Sequence, residues 1–181
     1  MYKTQHYATI GNRIFAFTID YLVIILYLAI LILLGVLFNQ MFPNSASFLF
    51  KNAFTAQATG FMLITLPISL YFALLEARGQ TLGKQQRGLK VTRLNGQALG
   101  LQLSLGRTVL KFLPWELAHT CIWQLRFERL PSEVIVSGFI LVWVLVGGNI
   151  LSLLSNAHHQ TLYDKISGTV VIVTREKATK I

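Results

Sequence analysis

Asp20 is a charged residue inside an otherwise uncharged run of 25 residues, 14–38, and Arg13 stands directly before that run. The two side chains are seven residues apart, about two helical turns, so they share one face of a helix. A charge at the centre of a membrane helix costs about 2.5–3.5 kcal/mol or more. Asp20 is therefore either a cation or proton site whose protonation Arg13 controls, or part of a structural pair with an arginine or a backbone amide.

Glu116 and His119 form a second candidate cluster, because residues three apart also share a helix face. Burial makes a carboxyl group harder to ionise and histidine titrates near neutrality, so these two groups and Asp20 could relay protons. The alternative is that both side chains are hydrated in the membrane interface. Two ligands are too few for a metal site, and we expect neither a metal nor a cofactor.

Asn149 and Ser152 place a polar stripe on the last apolar run, and Asn156 continues it one turn further. Asparagine and serine side chains can form hydrogen bonds between membrane helices, so the stripe predicts helix packing. A face that lines a substrate path is the alternative.

Three long apolar runs must position Asp20, Asn149 and Ser152: residues 14–38, in which Asp20 is the one charge, and residues 54–75 and 134–155, which carry no charge. Each is long enough to cross a bilayer as a helix, and Pro67 breaks the second. The mean hydropathy of +0.57 and the 13% content of charged residues also indicate an integral membrane protein. The first run is too long for a secretory signal, and the single Cys121 cannot form an intrachain disulfide.

Basic residues outnumber acidic ones by 16 to 7, and their distribution argues for membrane topology rather than for nucleic-acid binding. The positive-inside rule places both termini and the middle loop in the cytoplasm. Four basic residues of the middle segment could also bind anionic lipid headgroups. These four are Arg78, Lys84, Arg87 and Arg107, and the other basic residues that set the topology are Lys3, Arg13, Lys90, Arg93, Lys165, Arg175, Lys177 and Lys180.

Cytoplasmic termini require an even number of crossings, so a fourth must lie between Arg107 and the last run. The candidate is residues 108–125, which contain Lys111, Pro114, Glu116 and His119 and are too polar to face lipid. This segment is expected to be a bundle-facing or broken helix. The alternative is three crossings, with the segment lying in the interface as an amphipathic helix and the C-terminus outside.

Residues 89–94 alternate as a strand does and end at Asn95-Gly96, a strong hairpin signal, so a return strand is expected near residues 97–101. Residues 169–174 are a second strand, which should pair with the hairpin and hold Asp164 near the membrane face. The predicted fold is all-α: four membrane helices with a small cytoplasmic β-hairpin or sheet. The segments that begin at Gln80 and Gln160 share the letters Gln-Thr-Leu, which could reflect an internal duplication.

Arg13, Asp20 and Asp164 resemble the three signature positions of the RDD family, which is named for one arginine and two aspartates. Residues 79–84, 88–91 and 162–171 are similar to the family's loop and closing motifs. The resemblance implies one membrane domain over residues 7–175, followed by a polar tail at 176–181. It also implies a bacterial membrane protein of unknown biochemical role, with transport suggested and some members similar to cation/proton antiporters.

Two functions from different classes fit these observations. The first is a small carrier or carrier subunit for cations and protons, which would need a homo-oligomer because four helices are few for a transport path. The second is a non-transporting membrane adaptor or assembly factor whose polar pairs are structural. No catalytic motif is found, so an enzyme is not expected. Asp164 is predicted to be structural, bound by backbone amides or by Arg13, Arg87 or Arg107.

Overall fold

The computed structural model describes residues 6–174, with the backbone alone at Ser45 and Ala46. Lys3, Arg175, Lys177, Lys180 and the predicted tail at 176–181 lie outside the described residues. The helices are α1 (Ile10–Met41), α2 (Ser45–Leu49), α3 (Ala53–Gly60), α4 (Leu66–Ala77), α5 (Leu82–Gln86), α6 (Gly100–Arg126), α7 (Ser132–Ser155) and α8 (Leu162–Ile166). The strands are β1 (Leu89–Arg93) and β2 (Thr169–Val173), and a π-helical turn, Phe61–Thr65, joins α3 to α4.

Three helical stretches are long and apolar enough to cross a membrane: Ile10–Met41, Ala53–Ala77 and Ser132–Ser155. They contain the three runs that the sequence predicts as helices. The shortest has 24 residues, and at ~1.5 Å per residue it exceeds a hydrocarbon core of ~30 Å. The 27 residues of α6 are also long enough, and the helix continues through Pro114 without a break.

The second run contains a π-helical turn next to Pro67, the residue that predicts a break. The N–H of Leu66 donates to the carbonyl of Phe61, one residue further back than in an α-helix. Pro67 has no N–H, so the carbonyl of Leu63 loses its helical donor. The Tyr27 hydroxyl of α1 donates to this carbonyl at 2.5 Å, so a side chain replaces the missing backbone donor.

The sheet consists of β1 and β2 in antiparallel register, with Val91 opposite Val171. The predicted pairing of the two strand segments is therefore confirmed. The return strand near residues 97–101 is wrong: a turn does close between Arg93 and Gln97, but α6 begins at Gly100. Residues 97–100 contain no β-branched residue, which a strand would favour, and the chain continues as helix α6 from Gly100.

The two segments that share the letters Gln-Thr-Leu have the same local structure. Thr81 and Thr161 cap the short helices α5 and α8, and the amides of Gln80 and Gln160 donate to the carbonyls of Leu89 and Thr169, respectively. Gly88 and Gly168 precede the strands, both with φ of 60°. Val91 and Val171, equivalent positions of the two segments, pair with each other, so the sheet has a local two-fold relation.

Contacts divide the chain into two compact units. Unit 1 comprises Met1–Leu22, Ser69–Lys111 and Gly147–Ile181, of which residues 6–22, 69–111 and 147–174 are described, and it contains the sheet, α5 and α8. Its core is formed by Ala8, Ala16, Leu89, Val91, Leu99 and Val171. Unit 2 comprises Val23–Ile68 and Phe112–Val146. Each of α1, α4, α6 and α7 has one part in unit 1 and another part in unit 2.

Candidate functional site

Asp20 is buried in unit 1, with 1% of its surface exposed. Its carboxylate accepts hydrogen bonds from the Tyr71 hydroxyl at 2.9 Å, the Thr81 hydroxyl at 2.6 Å and the Gly83 backbone N–H at 2.9 Å. Arg13, the partner that the seven-residue spacing suggests, binds elsewhere. The structural interpretation of Asp20 predicted a bond from a backbone amide, and that bond is present. All three groups that donate to Asp20 are neutral.

Gly83 explains how the amino end of α5 reaches this carboxylate. A Cβ atom at position 83 would lie 1.9 Å from the carbonyl oxygen of Ala16 on α1. No side chain fits that distance, so only glycine allows the backbone N–H of residue 83 to approach Asp20. Glycine is therefore required at position 83 because the backbones of α5 and α1 approach each other closely there.

Asp164 is also buried, and two arginines bind it. Arg13 donates to one carboxylate oxygen at 2.6 Å, while Arg107 donates to the other from Nη2 at 2.6 Å and from Nε at 3.0 Å. The backbone N–H of Thr161 adds a capping-box bond at 3.3 Å. Burial alone opposes ionisation, but Arg107 and Arg13 hold the pKa of Asp164 well below its usual range. The arginine and backbone contacts predicted for Asp164 are present.

Glu76, which the sequence analysis did not single out, completes a charged network in unit 1. Its carboxylate is fully buried and binds Arg107, the Lys84 ammonium at 2.7 Å and the Lys111 ammonium at 3.7 Å. Arg107 is itself 1% exposed and joins Glu76 to Asp164. We call this set the charged network: Arg13, Glu76, Lys84, Arg107, Lys111 and Asp164.

Two of the four residues considered for lipid headgroups belong to this network instead. Lys84 and Arg107 bind Glu76 with largely buried side chains, which differs from the expectation of a surface role. Arg87 is exposed, and its guanidinium lies 3.6 Å from the ring centroid of Phe15, while Arg78 is exposed as well. Of the four, Arg78 and Arg87 are the two with exposed side chains.

Glu116 lies in unit 2 and is held by neutral groups. The Gln57 amide donates to Oε1 and the Thr65 hydroxyl to Oε2, both at 2.7 Å. Among residues 6–174 no basic side chain forms an ion pair with Glu116. The Nδ1 of His119 lies 3.0 Å from the carbonyl of Trp115, so the two members of the expected Glu116–His119 cluster do not bind each other.

A cavity of about 500 Å³ lies in the same unit, and Gln57 is one of its lining residues. The Oε1 atom of Gln57 is buried and accepts no hydrogen bond in the part of the chain that the structure describes. The side-chain nitrogen of Gln57 is thus bound to Glu116, whereas its side-chain oxygen has no hydrogen-bond donor among the described residues.

The polar stripe on α7 binds the segment that precedes α8. The Ser152 hydroxyl donates to the carbonyl of Gln160 at 2.9 Å, and the Asn156 side chain bonds both the N–H and the carbonyl of the same residue. Asn149 accepts from the Tyr163 N–H at 3.5 Å. These contacts agree with the packing interpretation. No group of three His, Cys, Asp or Glu side chains in residues 6–174 could hold a metal ion.

Three apolar helices, a fourth long helix and a two-stranded sheet at the ends of the helices define a small helical membrane protein. The sequence model of the RDD family matches residues 7–168, so the chain belongs to the RDD family. A search of the curated proteins and a search of the solved structures find no match. Arg13, Asp20 and Asp164, the residues of the family resemblance, all lie in unit 1.

Proposed function

We propose that this protein is a membrane carrier, or a subunit of one, in which Glu116 binds protons and cations alternately. The observation that carries the proposal is the set of partners around Glu116. A side-chain amide and a hydroxyl hold the carboxylate, and no basic side chain within residues 6–174 forms an ion pair with it. A proton that binds this carboxylate leaves no buried positive charge unpaired, unlike a proton that binds a carboxylate paired with arginine.

Both protonation states of Glu116 can be satisfied in place. The Thr65 hydroxyl donates to the carboxylate, and after rotation it can accept from the carboxylic acid. The Gln57 side chain also has both a donor and an acceptor, and its acceptor Oε1 has no partner among the described residues. Asp20 differs, because the N–H of Gly83 can donate to its carboxylate but cannot accept. In this proposal Glu116, rather than Asp20, is the coupling carboxylate.

The proposed topology has four crossings, with both termini in the cytoplasm of a bacterial inner membrane. Two observations support it. The charged side chains Arg107, Lys111 and Glu116 of α6 have partners within their own units, as a bundle-facing helix requires. Unit 1 also holds most of the basic residues, and unit 2 contains only Lys51, Arg126 and Arg129. Because four helices enclose little space, the carrier is proposed to be a homo-oligomer.

Cysteine substitution tests this topology. Ser132, before α7, should react with an impermeant reagent outside intact cells, and position 179, near the end of the sequence, should not. Reaction at position 179 would instead support three crossings with α6 in the interface. The natural Cys121 is buried, and a Cys121→Ser background removes its signal.

The transport experiment is cation-driven proton flux in proteoliposomes. Wild-type protein should transport, and Glu116→Gln should abolish flux while the protein remains folded. The matched control is Glu133→Gln, an exposed glutamate in the first turn of α7, which should retain flux. Retained flux in Glu116→Gln would remove Glu116 from the mechanism.

A second candidate function, a non-transporting membrane adaptor, is supported by a different observation. Arg13, Asp20 and Asp164 are satisfied by contacts within unit 1, and in this second proposal their role is to hold the sheet and short helices in place. An adaptor would present that sheet to a partner. Absence of flux from the wild-type protein for sodium, potassium and lithium gradients would favour this function.

A further inference from the structure

The π-helical turn Phe61–Thr65 lies between two side chains that hold the same carboxylate. Gln57 precedes the turn and Thr65 ends it, and each donates to one oxygen of Glu116 at 2.7 Å. Eight residues of an α-helix rotate through about 800°, which leaves the first and the last about 80° apart around the helix axis. A regular α-helix would therefore direct Gln57 and Thr65 to different faces.

The π-helical turn removes this difference. The N–H of Leu66 bonds to the carbonyl of Phe61, five residues back, so the turn contains one residue more than an α-helical turn. One residue corresponds to about 100° of rotation, so Gln57 and Thr65 are related as residues seven apart are in a regular helix, by about two full turns. The extra residue thus brings both donors onto the face that meets Glu116.

A contact with α1 fixes the position of this turn along the helix. The carbonyl of Leu63 has no α-helical donor because residue 67 is proline, and the Tyr27 hydroxyl donates to it instead. Without that hydroxyl, the next backbone N–H in the sequence is that of Ile68, five residues after Leu63, which is the spacing of a π-helical bond. A turn that used this bond would lie closer to Pro67, and Thr65 would rotate away from the face of Gln57.

We propose that Tyr27 is a positioning residue for Glu116 and that its hydroxyl decides which of two registers the helix adopts. While the hydroxyl binds the turn, Thr65 holds the carboxylate. When the hydroxyl leaves, the turn moves towards Pro67, Thr65 rotates away, and one oxygen of Glu116 becomes open to a cation. The inference rests on the proposed function for the identity of this ligand, and it names the element that opens the site.

The turn is in contact with two helices at once, which makes it a two-state element. Leu63 is 43% exposed and accepts from α1, whereas Thr65 is 6% exposed and donates to α6. A change of register alters both contacts together. By linkage, a cation that binds the open carboxylate also favours release of Tyr27, so occupancy of Glu116 and the contact with α1 are coupled.

Dicyclohexylcarbodiimide, an apolar reagent that attaches covalently to carboxyl groups, measures how open Glu116 is. Detergent-purified protein is treated in a choline buffer without metal cations, and mass spectrometry of its peptides follows the rate of labelling. Glu116→Gln must abolish the adduct assigned to this residue. The adduct of Glu133, an exposed glutamate, is the internal reference for the amount of reagent.

Tyr27→Phe should raise the rate of labelling at Glu116 about two- to tenfold, the equivalent of one hydrogen bond. Thr65→Val should give a similar increase, and Thr65→Ser, which keeps the hydroxyl, should label as slowly as the wild type. The double variant Tyr27→Phe/Thr65→Val should be no faster than Thr65→Val, because both changes remove the same bond. The matched control is Tyr21→Phe, an exposed tyrosine on the same helix, which should label like the wild type.

Pro67→Ala reaches the same state by another route. Its new N–H supplies the α-helical donor that Leu63 lacks and competes with the Tyr27 hydroxyl, so this variant should also label faster. Thermal unfolding shows which variants are folded and can be compared. An unchanged rate in folded Tyr27→Phe or folded Pro67→Ala, an equal increase in Tyr21→Phe, or rates that multiply in the double variant would overturn the inference.

Protection of Glu116 from labelling by sodium, potassium or lithium ions tests the proposed function separately. Protection together with an unchanged rate in Tyr27→Phe would support the carrier and overturn the positioning role of Tyr27. Faster labelling in Tyr27→Phe without protection by any of these ions would support the positioning role and count against Glu116 as a cation site.

Discussion

Glu76 and Asp164 in unit 1 and Glu116 in unit 2 are stabilised by different means. Glu76 and Asp164 are paired with arginine and lysine groups, so their ionised forms are fixed. Glu116 accepts hydrogen bonds from an amide and a hydroxyl, and no basic side chain within residues 6–174 forms an ion pair with it. Fixed charges hold elements together, whereas a carboxylate with neutral partners leaves no buried positive charge unpaired when a proton binds. The first arrangement suits a framework, and the second is the one that the proposed carrier requires.

The largest expected effect is the removal of the arginine that joins the two acids of the charged network. Arg107→Met should leave Glu76 and Asp164 short of a positive charge and lower the stability by about 3–5 kcal/mol. Thermal unfolding in detergent measures the loss, and Arg126→Met, on the same helix with an exposed side chain, should change little. An equal melting temperature for Arg107→Met would show that the network is not structural.

Gly83→Ala should be the next most damaging change, at about 1–3 kcal/mol or more. Its Cβ would collide with the carbonyl of Ala16 and push the N–H of residue 83 away from Asp20. Gly106→Ala in α6 has open space around the new methyl group and is the control; it should be neutral or stabilising. If both variants melt alike, the contact between α5 and α1 is not as close as described.

Asp164→Asn should lower the stability by about 1.5–3 kcal/mol, since an amide keeps the shape but loses the attraction to Arg13 and Arg107. Lys165→Gln, the exposed neighbour, is the control. If Asp164→Asn kept the wild-type melting temperature yet abolished a measured flux, Asp164 would belong to the transport mechanism. The comparison between Asp164 and Glu116 would then be wrong.

The pH dependence of unfolding follows from the lowered pKa of Asp164. A carboxyl group whose folded pKa is depressed contributes its full stability above the unfolded value of ~3.9 and loses it as the pH falls towards the folded value. Wild-type stability should therefore decline below about pH 4. Asp164→Asn should show a shallower decline in the same titration, and identical slopes would exclude this carboxylate as the cause.

The smallest expected effect on stability is that of Glu116→Gln, at less than about 1 kcal/mol. The new amide can still bond to both Gln57 and Thr65, and no buried positive charge loses its partner. A loss of stability as large as that of Arg107→Met would mean that Glu116 is also part of the framework. The two units would then not differ in the way described.

Sequence periodicity is enough to predict the three apolar helices and both strands, because these features depend on local patterns. Asp164 was singled out by the family resemblance, and the excess of basic residues then suggested arginine partners, of which Arg13 and Arg107 bind it and Arg87 does not. Glu76 was missed because it stands at the end of an uncharged run, and nothing local indicates that Arg107, 31 residues later, will reach it. The return strand near residues 97–101 was predicted from the hairpin signal Asn95-Gly96, and it is wrong because α6 begins at Gly100. The pairing of β1 with β2, about 80 residues away, was predicted from the strand patterns of the two segments and not from the turn residues.

The pairing of β1 with β2 also determines when unit 1 can fold during synthesis of the chain. Arg13, Glu76 and β1 are made long before Asp164 and β2, which complete their contacts. Until the last described residues leave the ribosome, Glu76 and Arg107 can neutralise each other, but Arg13 has no aspartate at position 164 to bind. Unit 1 can therefore close only after all the long helices have been synthesised. A chain that stops before Asp164 would have its long helices but would lack the ion pairs and the strand pairing that close unit 1.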